Sequence, residues 1–322
     1  MSDIEARDLP LDKREWMSLG GVVLLALAAY ALSVGHDFTY DDVLIIRDNE
    51  RLHSIANWRQ ILASPWWQDA LYRPFTALTF AVDWSLTNGD PGWFHAVNVL
   101  LHGAVTALVF LLARGMLPAL GTWCTAALFA VHPVHVEAVA NVVGRAELLA
   151  ALFLTAAVIL YRFDGLLAER GSVGWRRAAT SLGVLAATLL ALASKEMAFV
   201  GPGLLLLADW HHAWSTGSTL RRALNRHPVL WIASVVLTAE WLWIWTGVLG
   251  GVRGGAEAPG LLGAGLGQRA VVMAPVVIEY LRLLLLPARL SADYSPDFLP
   301  VAEHLTLRGV VGAMLLVAVV SG

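Results

Sequence analysis

Two adjacent carboxylates, Asp41 and Asp42, close the segment His36-Asp37-Phe38-Thr39-Tyr40-Asp41-Asp42, one short step beyond an apolar run. In extended backbone, successive side chains point to opposite faces. One carboxylate can then face a reaction centre while the other orients an arginine, a backbone donor or a metal. General-base work on a weak hydroxyl nucleophile suits such a carboxylate, and a solvated turn or helix cap is the plainer use of the same pair.

Cationic and imidazole groups recur at comparable places along the chain. Arg73 lies in Tyr72-Arg73-Pro74, where the proline biases it toward extended backbone and can aim its guanidinium at an anion; a salt bridge to Asp69 is the plainer alternative. Lys195, in Ser194-Lys195-Glu196, is placed to stabilise a leaving phosphate, to snorkel, or to pair with Glu196. His95, Asn98 and His102 follow i, i+3, i+7 spacing, a polar stripe whose plain role, above all for Asn98 and His102, is interhelical hydrogen bonding.

The densest cluster is His132-Pro133-Val134-His135-Val136-Glu137, continued by Asn141 and Arg145. A helix starting at Pro133 would carry Glu137, Asn141 and Arg145 on one ridge, serving either bundle stability or a lipid-phosphate or acceptor site. The HEXXH order is absent, and His135 and Glu137, two residues apart, would diverge on a helix. Both points argue against a closed zinc site. A divalent ion, Mg or Mn, held by Asp42 remains compatible with the carboxylate pair.

The elements that position these groups are membrane helices. Of 322 residues, 57% are hydrophobic and 15% charged, and the mean hydropathy is +0.64. A formal charge of −3 excludes the basic footprint of nucleic-acid binding, and the single cysteine, Cys124, excludes an internal disulfide. Fourteen tryptophans suit membrane interfaces.

Apolar stretches predict nine spans: Met17–Val34, Phe94–Ala113, Leu117–Val131, Ala146–Tyr161, Ala178–Ala193, Met197–Leu207, Val229–Leu249, Ala270–Leu286 and Val310 to the end. Met17–Val34 is longer than a signal-peptide core and reads as a retained helix. The expected class is an all-α polytopic membrane protein. Residues 1–16 form a cytoplasmic segment, 35–93 a first outer loop with interfacial helices at Ile55–Leu62 and Phe75–Leu86, and 250–269 a glycine-rich outer loop.

Arg162, Arg170, Arg176 and Arg177 crowd one short connection, and Arg221, Arg222 and Arg226 another. The positive-inside rule makes that side cytoplasmic and puts the polar clusters outside. Alanine- and leucine-rich spans lean toward a bacterial inner membrane rather than endoplasmic reticulum, with the site on the periplasmic or luminal face. The chain ends within an apolar run, Val319-Val320-Ser321-Gly322, and reads as a fragment.

Taken together, the acidic pair, Tyr72-Arg73-Pro74, the His95 stripe, HPVHVEAVANVVGRAELLA, Ser194-Lys195-Glu196, and Tyr280-Leu281-Arg282 running to Leu290-Ser291-Ala292-Asp293-Tyr294 resemble the transmembrane-and-tetratricopeptide-repeat protein O-mannosyltransferases of the GT-C superfamily. The family's carboxyl-terminal repeat array is absent from this sequence. The resemblance implies a GT-C-like catalytic domain over residues 17–322. It also implies transfer of a sugar, mannose in the family, from a polyprenyl-phosphate donor to a protein serine or threonine on the non-cytoplasmic face. In that reading Asp41 or Asp42 is the base, and Arg73, Arg145 and Lys195 meet the donor phosphate. His95, His132, His135, Glu137, Asn141 and Glu196 support them. A transporter or flippase of lipid-linked precursors and a non-catalytic membrane scaffold are the competing expectations; a transporter would place its polar groups near the midplane.

Overall fold

The computed structural model describes residues 10–66, 71–172, 174–250, 265–288, 290–291 and 306–321. Asp69, most of the glycine-rich segment and Ala292 to Tyr294 lie outside the described residues. All regular structure among the described residues is helical, and the chain is an all-α polytopic membrane protein. Its helices are α1 (Lys13–Tyr30), α2 (Trp58–Ala63), α3 (Pro74–Thr87), α4 (Pro91–Arg114), α5 (Ala119–Val131), α6 (Val136–Ala140), α7 (Arg145–Glu169), α8 (Trp175–Ser194), α9 (Gly201–Thr216), α10 (Leu220–Leu224), α11 (Pro228–Val248), α12 (Leu266–Leu285) and α13 (Leu307–Ser321).

Five described helical stretches are long and apolar enough to cross a membrane, and a sixth is gained if α5 is counted with the turns after it. Some of the nine stretches read from hydropathy fall outside that set because their helices are short. At 1.5 Å per residue a 13-residue helix such as α5 reaches about 20 Å, short of a hydrocarbon layer about 30 Å thick. The 16 residues of α9 also fall short.

Contacts divide the chain into two units, one of Met1–His132 and Ala138–Gly254, the other of Pro133–Glu137 and Gly255–Gly322. In the second unit α12 packs on α13, and Gly312 lets the α13 backbone lie directly against the Ala274 carbonyl.

Local signals start and stop the helices of the first unit. Asp12 and Glu15 form a capping box at α1, with Glu15 N–H donating to Asp12 Oδ1 at 2.8 Å and Asp12 N–H to Glu15 Oε2 at 2.9 Å. Proline opens α3, α4 and α11 at their first turn, where its missing N–H is not needed. After α3 the chain reverses through Asn88 and Gly89, and glycine is required at the second position: its φ is +82°, and a Cβ would stand 2.7 Å from the Trp84 ring.

Antiparallel packing gives this unit two ends. At one, α1 finishes beside the start of α4, the first loop packs on α3, and α7 begins where α8 finishes. The other end collects Lys13, Arg14, Arg114, Arg162, Arg176, Arg177, Arg221, Arg222 and Arg226 around the start of α1, the ends of α4, α7 and α9, and the starts of α8 and α11. The amino-terminal charges and both arginine-rich connections therefore share one end, as the charge pattern predicts.

That arginine-rich end is closed by a buried ionic network. His227 lies between two fully buried carboxylates, Nδ1 at 3.2 Å from Asp164 and Nε2 at 3.4 Å from Asp209. Tyr161 donates its hydroxyl to Asp209 at 2.7 Å, Arg226 reaches Asp209 at 2.9 Å and Arg177 reaches Asp164 at 3.1 Å. Four helices, α7, α8, α9 and α11, are tied there by charge-assisted bonds. Removing one partner of a buried network strands the others, whereas an exposed pair contributes little. Asp209→Ala is expected to cost about 3–5 kcal/mol, and Glu169→Ala, which removes an exposed carboxylate 3.2 Å from Arg226, about 1 kcal/mol or less, read as thermal midpoints of the detergent-purified protein.

Candidate active site

The polar groups at the opposite end form two centres joined by α3. In the first, a helix break is held from both sides. The sequence predicts one helix from Pro133 through Arg145; instead α6 stops, Asn141 turns extended (φ −85°, ψ 126°), and a 3-10 turn, Val142–Gly144, leads into α7. Glu137, Asn141 and Arg145 therefore share no ridge. The reason is local: the Asn141 side chain accepts from Val143 N–H at 3.2 Å and so caps the new turn in place of continuing the old helix.

A break exposes backbone polar groups, and distant side chains satisfy them. Asn98 donates to the carbonyls of Asn141 (3.0 Å) and Val142 (3.2 Å). Asp42, fully buried, accepts from Val143 N–H at 2.8 Å and, over longer distances, from those of Val142 and Thr39. The twin aspartates thus have different surroundings. Asp42 is turned inward onto backbone donors, while half-buried Asp41 makes no hydrogen bond or ion pair among the described residues. Burial raises the pKa of both. For Asp42 the three backbone donors oppose that rise.

Arg145, at the start of α7, has no exposed surface. Its guanidinium pairs with Asp83, donates to Asn98 Oδ1 at 3.0 Å and to the Phe94 carbonyl at 3.1 Å, and lies 4.6 Å from the Phe80 ring centre and 5.5 Å from that of Phe94. Trp93 donates its indole N–H to the other Asp83 oxygen at 3.1 Å. Every edge of this arginine is occupied by protein, so in this arrangement it organises the centre and meets no ligand. His95 is also buried, with neither ring nitrogen in a hydrogen bond of ordinary geometry; the His36 ring, the Asp37 backbone and Asp42 are its polar neighbours. His102 contacts the Ala130 carbonyl at 3.0 Å, the interhelical bond expected of it.

The second centre contains the other two predicted cations, each against a carboxylate. Arg73 holds Glu196 through Nε and Nη2, at 3.1 and 2.9 Å from Oε2, and Lys195 pairs with Glu147. Lys195 therefore takes neither Glu196 nor open solvent as its partner. One face of α3 joins the centres, with Arg73 at its N-cap, Thr76 donating to the Ser194 carbonyl at 3.0 Å, and Thr79 and Asp83 meeting Arg145.

Asp41, Asp42, His95, Asn141, Arg145, Arg73, Lys195 and Glu196 all belong to this end of the first unit. His132 belongs to it too, its carbonyl accepting from Tyr30 Oη at 3.1 Å. His135 and Glu137 fall in the second unit. Sequence reasoning passed over Asp83 and Glu147. Asp83 was legible as the end of a Thr76, Thr79, Asp83 stripe on α3, and Glu147 as an acid inside an apolar span. Among the described residues, no group of three or more histidine, cysteine or acidic side chains could hold a metal ion.

Comparison with known proteins finds relatives in sequence that are named protein O-mannosyl-transferases. The chain is 33% identical over 169 residues to protein O-mannosyl-transferase TMTC3 of Mus musculus, covering 50% of this chain and 17% of that one. It is 35% identical over 172 residues to protein O-mannosyl-transferase Tmtc1 of Drosophila melanogaster (51% and 20%) and 38% identical over 169 residues to protein O-mannosyl-transferase TMTC1 of Homo sapiens (48% and 19%). The match thus spans about half of this chain and about a fifth of each relative. No family model matches the chain, and no solved structure matches it significantly.

The two aspartates and the buried arginine can be separated by stability. Arg145→Leu leaves Asp83 and Asn98 without their partner and is expected to cost about 3–5 kcal/mol, part of it recovered by the double change Arg145→Leu with Asp83→Leu. Asp42→Ala orphans buried N–H groups at about 1–3 kcal/mol each, whereas Asp42→Asn keeps an acceptor for Val143 and is milder. Because burial raises the folded-state pKa of Asp42, its contribution is fully present below the unfolded pKa and lost as pH rises through the folded one. Thermal midpoints against pH should show that slope, reduced in Asp42→Asn.

Proposed function

We propose that the chain, as a relative of the TMTC-type protein O-mannosyl-transferases over half its length, is a membrane glycosyltransferase of GT-C type. In this reading it moves mannose from a polyprenyl-phosphate donor to a protein serine or threonine hydroxyl. The observation that carries the reading is the split aspartate pair. Asp42 is anchored on backbone donors, and so presents its neighbour Asp41 half-buried and without a partner among the described residues, at the end of the bundle where Arg73 and Lys195 also stand.

A hydroxyl is a poor nucleophile near neutral pH, so Asp41 takes its proton as the oxygen attacks the anomeric carbon. The bond from that carbon to the phosphate oxygen breaks, and polyprenyl phosphate leaves with increased negative charge. Arg73 and Lys195 meet that charge by exchanging part of their contact with Glu196 and Glu147 for phosphate oxygens. Single displacement inverts the anomeric centre. Arg145, Asp83 and Asn98 hold the loop and the start of α7 in place.

The positive-inside rule supports a non-cytoplasmic reaction, because the arginine-rich connections stand at the opposite end. Polar groups gathered at a bundle end, rather than near the midplane, favour transfer over transport. The alanine- and leucine-rich spans support a bacterial inner membrane and a periplasmic site.

Asp41→Asn is expected to lower transfer from a radiolabelled polyprenyl-phosphate mannose to a serine-containing peptide by about 100-fold or more, at an unchanged thermal midpoint. Full activity in that variant overturns the assignment. The base must be ionised, and burial raises its pKa, so wild-type activity should fall with decreasing pH already above the ordinary carboxylate range near 4.

A further inference from the structure

One cation of the first loop has no counter-ion among the described residues. Arg51, in the turn Glu50–His53, is half-buried, and its polar contacts are long and neutral: Nε to Asn49 Oδ1 at 3.3 Å and Nη2 to the Trp66 carbonyl at 3.4 Å. Among the described residues no carboxylate pairs with it. Arg51 and Arg73 line one shallow, solvent-open cleft, with Asn49, Ser64 and Trp66. Arg73 gives its Nε and Nη2 edge to Glu196, leaves Nη1 uncommitted, and lies 5.3 Å from the Trp66 ring centre.

The charge balance points to a missing anion. Of the two guanidinium groups, Arg73 has the carboxylate of Glu196 and Arg51 has none, so among the described residues the cleft lining carries one uncompensated positive charge in partly desolvated surroundings, where an unpaired ion is costly. Two planar forks with free N–H groups suit the oxygens of a phosphate better than they suit a single carboxylate. Beside Arg51, Ile55, Trp58 and Leu62 expose apolar surface along the turn and helix that follow, as in a segment lying at headgroup depth.

We propose that Arg51 and Arg73 form an anion site for the phosphate of a membrane lipid. The same chemistry is offered by a polyprenyl phosphate and by a bulk anionic phospholipid. Only the first of these sources rests on the function proposed above. Neutral hydrogen bonds from Arg51 to Asn49 and Trp66 shape the cleft, and the lipid phosphate supplies the charge that the protein withholds.

The test uses the full chain in a maltoside detergent, which carries no phosphate. Undecaprenyl phosphate and phosphatidylglycerol are added separately, with retention read by native mass spectrometry and by the rise in thermal midpoint. Wild type should retain at least one of them, with affinity falling as salt is raised. Arg51→Gln should weaken that binding about 10-fold, with Arg51→Lys, which keeps the charge and loses the fork, between the two. Stronger retention of undecaprenyl phosphate identifies the donor lipid, and equal retention identifies a general headgroup site. Unchanged binding of both lipids in Arg51→Gln overturns the inference; should that variant fail to fold, unchanged binding in Arg51→Lys does so. Asp41→Asn should bind as wild type does, so loss of the transfer reading and loss of this site are separate results.

Discussion

A fully buried arginine beside a nearly buried aspartate sets the conditions for everything at the end of this bundle opposite the arginine-rich connections. Arg145 and Asp83 stand where water cannot repay their desolvation, so the pair is tolerable only with every remaining donor and acceptor engaged. Asn98, the Phe94 carbonyl, Trp93 and the Phe80 and Phe94 rings supply those engagements. Satisfying one arginine thus specifies the relative placement of α3, α4 and α7. The same asparagine that accepts from Arg145 donates to carbonyls freed at the helix break, so the break and the ion pair stand or fall together.

From that constraint the division of labour between the aspartates follows. The freed N–H groups of Val142 and Val143 need an acceptor, and Asp42 reaches across about a hundred residues of chain to provide it. Its neighbour is thereby pinned without being used. A reactive carboxylate gains from this arrangement, because its backbone is held by an anchored residue while its own oxygens stay uncommitted. The cations are treated differently. Arg73 and Lys195 are each kept beside a glutamate, which fixes their position.

The two ends of the first unit solve the same physical problem, buried charge, toward different results. At the arginine-rich end the buried carboxylates Asp164 and Asp209 are each matched by several donors, and the network locks α7, α8, α9 and α11. At the other end the matching is incomplete: Asp41 and Arg51 lack ionic partners among the described residues. Incomplete satisfaction is what a binding or reacting surface has to offer.

The sequence by itself determined the membrane class, the helical make-up, the side on which arginines collect, and the list of chemically capable residues, because these depend on composition and local spacing. It also supported the resemblance, through HPVHVEAVANVVGRAELLA and the shorter motifs. Its nine apolar stretches exceed the five or six helices long and apolar enough to cross a membrane among the described residues, since hydropathy records apolarity and not whether a run such as Leu117–Val131 continues far enough as helix. It drew one helix through Glu137, Asn141 and Arg145, because helical spacing does not tell an asparagine inside a helix from one whose side chain caps a new turn, as Asn141 does here, and the contacts of Asn98 and Asp42 that hold the break come from distant chain. Only the tertiary structure decided which aspartate faces inward, that Arg145 is sealed, and that Glu147 and Glu196 attend the two accessible cations. Those outcomes belong to pairs tens of residues or more apart in the chain, and a side chain's partner at that separation is chosen by packing, which no local pattern encodes.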